Sequence, residues 1–88
     1  MSIENKEQNP LVNLYGSDAR QLAFEEIKEL QINSNIPFDK ELLQVGTSFA
    51  VLKATEILEG KKSNKSLKFL VRESFGEASV YKYNILNS

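Results

Sequence analysis

The chain contains few of the residue types that carry out covalent or metal chemistry. Its 88 residues include no cysteine and no histidine, so the most reactive nucleophile, the commonest general base and the commonest metal ligands are absent. A serine hydroxyl needs a neighbouring base, and the pair Ser48 and Lys53 has no spacing typical of such a site. We therefore expect no enzyme activity, no catalytic residue, no cofactor and no bound metal.

Carboxylates at helical spacing are the remaining candidates for binding a hard cation. Glu25, Glu26 and Glu29 fall in one predicted helix, and Glu56 and Glu59 fall in the next. A metal site bridged by carboxylates on facing helices usually includes Glu-x-x-His pairs, and neither helix has the acidic loop of a calcium site. We interpret these acids as solvent-exposed helix charge.

One basic stretch suggests a ligand, and it consists of Lys61, Lys62, Lys65, Lys68 and Arg72. Together with Tyr81 and Tyr83 on a neighbouring predicted strand, it could hold phosphates and stack bases. The predicted alternation, however, places the tyrosines out of phase with the basic residues. Lysines that follow Gly60 also have a local role at the negative end of a helix dipole. Nucleic-acid binding is therefore the alternative function rather than the main one.

Small residues four positions apart suggest a second kind of contact. Gly46, Ala50 and Ala54 would let another backbone approach closely, either the preceding helix of the same chain or a partner protein. A chain of this length buries only about 60% of its unfolded surface, and a lone hairpin is marginal with open edges. We therefore predict a protein partner or a homodimer that contacts this row.

The elements that position these residues follow from hydrophobic periodicity. Spacings of three and four predict a helix over 18–31 and a second one that starts near 37–39, with Asp39 as its N-cap, and ends at Gly60. Alternation predicts strands over 67–73 and 78–86 with a turn at Gly76. The expected fold is α+β, two helices packed on a small antiparallel β-hairpin in the order α-α-β-β. Residues 1–10 are predicted to be a flexible tail and residues 11–88 a single domain.

The apolar faces of these elements also predict a core, which comprises Leu22, Ile27, Leu30, Phe49, Leu52, Ile57, Phe69 and Val71.

Composition limits the function further. The hydrophobic fraction of 41% and the charged fraction of 26% are those of a folded protein, and the net charge of −1 favours neither a polyanion binder nor a DNA mimic. No segment approaches the roughly 18 apolar residues that span a bilayer, and the N-terminus has no secretory pattern. We expect a small cytoplasmic, non-enzymatic protein-interaction module: an adaptor, an inhibitor or a regulator.

Overall fold

The computed structural model describes the backbone of residues 9–87 and the side chains of residues 9–83. Four α-helices follow one another in this part: α1 (Pro10–Tyr15), α2 (Ala19–Asn33), α3 (Lys40–Leu58) and α4 (Leu67–Asn87). Helices α2, α3 and α4 pack against one another as a three-helix bundle, and α1 contacts both α2 and α3. Residues 1–8 of the predicted tail lie outside the described residues, whereas Pro10 already begins α1.

The predicted α+β fold is wrong, because residues 67–73 and 78–86 belong to one helix, α4, and the described residues contain no strand. The alternation in 67–73 is short, and it overlaps a longer pattern with helical spacing. Leu70, Val71, Ser74, Phe75 and Ala78 recur at spacings of three and four and form the buried face of α4. Gly76, predicted to form the turn, lies inside the helix on its exposed side.

Side-chain caps mark the starts of α1 and α3. Asn9 Oδ1 accepts a hydrogen bond from the Leu11 amide at 2.8 Å, with Pro10 in the first helical position. Asp39 Oδ1 accepts from the Leu42 amide at 3.1 Å, which confirms the predicted N-cap. At the other end of α3, Gly60 adopts a φ of +78°, a left-handed conformation in which glycine is favoured.

The core prediction is only partly correct. Ile27 and Val71 are buried, and Leu30, Phe49 and Ile57 are half-buried against the core. Leu22, Leu52 and Phe69 are exposed instead. In α3, the buried face holds the small residues Gly46, Ala50 and Ala54 as well as Leu42 and Leu43, and Leu52 lies on the exposed side. The buried hydrophobic residues are Leu11, Ala19, Ala23, Ile27, Leu42, Leu43, Ala50, Ala54, Leu70, Val71, Phe75 and Ala78.

Gly46 lies where α2, α3 and α4 meet. A Cβ atom placed on Gly46 would be 3.2 Å from Ile27 Cδ1 on α2 and 3.9 Å from Ala78 Cβ on α4. The first distance is tighter than ordinary van der Waals contact, so glycine permits this separation of the helices. Ala50 and Ala54 continue the same buried row along α3.

We predict that Gly46→Leu lowers the free energy of unfolding by about 1–3 kcal/mol, because the added side chain has no space between Ile27 and Ala78. Urea denaturation followed by circular dichroism measures the loss. An unchanged denaturation midpoint would show that the three helices do not meet at this residue.

We predict the opposite effect for the other helical glycine. A Cβ atom on Gly76 would meet no atom within 4 Å, so Gly76→Ala should raise the free energy of unfolding by about 0.5–1 kcal/mol through helix propensity alone. The same urea titration serves as the measurement. A loss of stability would contradict the exposed helical position of Gly76.

Candidate partner-binding surface

The row of small residues predicted to bind a partner is inside the monomer. Gly46, Ala50 and Ala54 are all buried, and Gly46 faces Ile27 and Ala78 of the same chain. A partner would have to displace α2 or α4 to reach this row. The close approach that the spacing predicts is therefore made by the chain's own helices.

The predicted basic stretch extends along the α3–α4 loop and the first turns of α4, and carboxylates accompany most of its charge. Lys61 pairs with Glu59 at 3.3 Å and Lys62 with Glu56 at 3.4 Å. The remaining pairs are Lys65–Glu73 at 3.1 Å and Arg72–Glu26 at 3.4 Å. Among the described residues, only Lys68 of this stretch has no ion pair.

The two tyrosines that would stack bases lie far from these charges. Lys68 and Tyr81 belong to one helix, where 13 residues of separation correspond to about 20 Å along the axis. Tyr81 packs edge-to-face on Phe49, with ring centroids 6.0 Å apart. The structure thus separates the stacking residues from the basic stretch, because one helix replaces the predicted hairpin.

A second group of charges connects the α2–α3 junction to the end of α4. Lys82 Nζ donates a short hydrogen bond to Asp39 Oδ2 and lies 3.2 Å from Glu41 Oε1. The Asp39 main chain is itself held by Gln31, whose side chain accepts from the Asp39 amide at 2.8 Å and donates to its carbonyl at 3.2 Å.

The ion pair shifts the pKa values of both partners. Hydrogen bonds from Lys82 and the Leu42 amide hold the pKa of Asp39 below its usual value, and the hydrogen bond to Asp39 raises the pKa of Lys82. The two groups are mostly shielded from solvent, and both are fully engaged with each other and with the cap of α3. Their geometry is that of a structural contact, which joins the start of α3 to the end of α4. We call it the Asp39–Lys82 clasp.

The exposed residues in the middle of α3 carry no charge. Residues 42–52 contain no charged side chain, and this segment is about three turns of helix. Gln44, Ser48 and Leu52 are the exposed members, one turn apart. The Gln44 and Ser48 side chains make no hydrogen bond within the described part of the chain, so their polar groups are available to a partner.

A groove between α2 and α3 flanks this face on one side. It has a volume of about 740 Å³ and is lined by Phe24 of α2 and by five residues of α3: Gln44, Thr47, Ser48, Val51 and Leu52. The Thr47 hydroxyl already donates to the Leu43 carbonyl at 2.8 Å. An apolar ligand can therefore cover Thr47 without leaving its donor unpaired.

A second concave region flanks the same face towards α4. Its volume is about 470 Å³, and it is lined by Val45, Phe49 and Tyr81, by Gln44 and Ser48, and by the carboxylate of Glu41. The two depressions share Gln44 and Ser48. The exposed face of α3 thus lies between an aromatic residue of α2 and an aromatic pair formed by α3 and α4. We call this combination the α3 surface.

Sequence reasoning did not identify the α3 surface, although part of its signal is present in the sequence. The absence of charge over 42–52 is visible there, but it is equally typical of a helix buried on all sides. Phe24 gives no such signal, because its role depends on the packing of α2 against α3. The sequence therefore contains the neutral stripe, and the fold supplies its aromatic borders.

The described residues contain no group of three or more acidic residues that could hold a metal ion. No described helix is long and apolar enough to cross a membrane. The chain matches no protein-family model, and no curated protein or solved structure is significantly similar to it.

The Asp39–Lys82 clasp gives a prediction for the pH dependence of stability. The pKa of Asp39 lies below the usual 3.8, so its stabilisation is full above that pH and is lost as the pH falls through the folded-state pKa. The pKa of Lys82 lies above the usual 10.5, so its contribution is full below that pH and is lost as the pH rises through the folded-state pKa. Between these limits the clasp should be fully stabilising.

Replacing Lys82 by Met removes the charge and keeps the apolar stem. As the pH falls into the acid range, we expect the free energy of unfolding to decrease less in Lys82→Met than in wild type. Urea titrations over a series of pH values measure this difference. Lys68→Met is the control, because Lys68 is exposed and has no ion pair among the described residues. The same acid dependence in wild type and Lys82→Met would contradict the clasp.

Proposed function

We propose that this chain is a small non-enzymatic protein-interaction module that acts as an adaptor, an inhibitor or a regulator by binding a partner protein through the α3 surface. The observation that carries the proposal is the uncharged exposed face of α3 between Phe24 on one side and the Phe49–Tyr81 pair on the other. The cytoplasmic location expected from the sequence is part of the same proposal.

The composition of the α3 surface is that of an interface centre. The centres of protein interfaces are depleted in charged residues and enriched in aromatic ones. Charged residues make up 26% of this chain, whereas Gln44, Ser48 and Leu52, the exposed residues of 42–52, carry no charge. Leu52 adds an apolar side chain that is 59% exposed at the edge of the groove.

The energetics of the surface also favour binding. Helices on both sides hold the groove in place, so a partner does not have to order a loop on association. Thr47 is already hydrogen-bonded, and Gln44 and Ser48 can hydrogen-bond a partner and set its register. Burying the middle of this surface removes apolar area from water, and the charged residue of its lining, Glu41, lies at the start of α3.

Nucleic-acid binding, the alternative from the sequence, is not favoured by this geometry. Four of its five basic residues are paired with carboxylates, so phosphate contacts would have to displace existing ion pairs.

The homodimer also stays a prediction. Sedimentation equilibrium at micromolar concentration decides whether the partner is a second copy, since the monomer mass is 10.0 kDa.

The proposal is tested by affinity capture from the source cell with two matched variants. Leu52→Glu places a charge on the α3 surface, and Val80→Glu places one on α4 at an equally exposed position, 58% against 59%. We expect wild type and Val80→Glu to retain the same partner protein after nuclease treatment and Leu52→Glu to lose it. Retention by Leu52→Glu, or loss on nuclease treatment, would overturn the proposal.

A further inference from the structure

We infer that the depression between α3 and α4 binds an arginine side chain of the partner protein. The inference rests on the proposed function, because it specifies one contact that the α3 surface makes with its partner. Three features of the depression support it: an aromatic pair, a carboxylate at one end, and a lining that includes no basic residue among the described side chains.

The aromatic pair provides an apolar floor. Phe49 of α3 and Tyr81 of α4 pack edge to face with ring centroids 6.0 Å apart, and Val45 lies beside them in the lining. Tyr81 is 53% exposed, so much of this floor is open to a ligand. Long side chains with a charged end bury their methylene stems on such apolar surface and keep the charge at its edge.

The carboxylate of the depression belongs to Glu41, in the first turn of α3. Glu41 Oε1 lies 3.2 Å from Lys82 Nζ, yet the Glu41 side chain is 71% exposed. An ionised carboxylate has about four lone-pair sites that accept hydrogen bonds. The contact with Lys82 therefore leaves most of the acceptor capacity of Glu41 open to a ligand.

The neighbouring cations do not cancel this carboxylate. Lys82 also donates to Asp39, so two carboxylates share one ammonium group, and Lys82 is mostly shielded from solvent and outside the lining. Lys40 precedes Glu41 in the sequence, but adjacent residues of a helix point about 100° apart, and Lys40 is outside the lining too. A ligand in the depression therefore meets one exposed negative group.

The separation of the two features favours a long side chain. Glu41 and Phe49 are about 12 Å apart along the axis of α3, and side chains of a helix lean towards its N-terminus, which brings the Phe49 ring closer to Glu41. The uncharged residues Gln44, Val45 and Ser48 line the space between them. A stem that lies on the aromatic rings can thus place its cationic end at the carboxylate.

Arginine fits this arrangement better than lysine. Its guanidinium group is weakly hydrated, stacks on aromatic rings and donates two parallel hydrogen bonds to a carboxylate. An ammonium group is more strongly hydrated and lacks the planar shape.

The test uses two blocked pentapeptides that differ in one residue: Gly-Ala-Arg-Ala-Gly, and the same peptide with citrulline in place of arginine. Citrulline keeps the length and the planar end of arginine but has no charge. Each peptide is titrated into the ¹⁵N-labelled protein, and amide shifts at Val45, Phe49 and Tyr81 report occupancy. We expect the arginine peptide to bind about three- to tenfold more tightly than the citrulline peptide.

Two pairs of variants separate the carboxylate from the aromatic floor. Glu41→Gln should remove the preference for arginine, whereas Glu29→Gln, a change at an exposed glutamate of α2, should leave it unchanged. Tyr81→Ala should weaken the binding of both peptides, whereas Val80→Ala, at a similarly exposed position of α4, should not.

Three results would overturn the inference: no shift with either peptide, equal affinity of the two peptides for wild type, or an unchanged preference in Glu41→Gln. The same amide shifts on raising the concentration of the protein alone, with none from either peptide, would assign the depression to a second copy and would also overturn it. The proposed function stands or falls separately, because partner capture by wild type and its loss in Leu52→Glu do not depend on the peptides.

Discussion

The close approach of three helices at Gly46 is the constraint on which the rest of this structure depends. The missing side chain lets Ile27 of α2 and Ala78 of α4 come within contact distance of the α3 backbone. Ala50 and Ala54 extend the small surface along α3, and Ala19, Ala23 and Ala78 contribute small residues from the other helices. A bundle of this kind obtains its packing from the proximity of backbones as well as from large apolar side chains.

Close packing at this small row has a consequence for the surface. Because α3 directs Gly46, Ala50 and Ala54 inwards, several larger apolar residues remain on or near the outside. Leu52 is exposed, and Val51 and Phe49 are only half-buried. The same helix orientation that completes the core therefore produces the α3 surface. The buried row of small residues and the exposed uncharged row are two faces of one helix.

Electrostatic contacts act mainly at the ends of the bundle and between its helices. Lys82 joins the end of α4 to Asp39 at the start of α3, and Arg72 joins α4 to Glu26 of α2. Buried Lys53 reaches Glu77 at 2.8 Å across the α3–α4 contact. These pairs occupy charges that would otherwise be available to a polyanion, and they leave the exposed middle of α3 neutral. Charge is thus distributed around the proposed interface rather than within it.

The sequence by itself determined the positions of α2 and α3 to within three residues, because their apolar spacing and the Asp39 cap are local features. It also indicated a close backbone approach along Gly46, Ala50 and Ala54. For residues 67–87 the sequence contains both a helical spacing and a short alternation, and tertiary packing decided between them. A short alternating run such as 67–73 satisfies both periods, and burial of Leu70, Ser74 and Ala78 against the other helices selects the helix. Tertiary structure also placed Phe24 beside α3, because the direction in which a helix turns its apolar residues depends on neighbours that no local pattern contains.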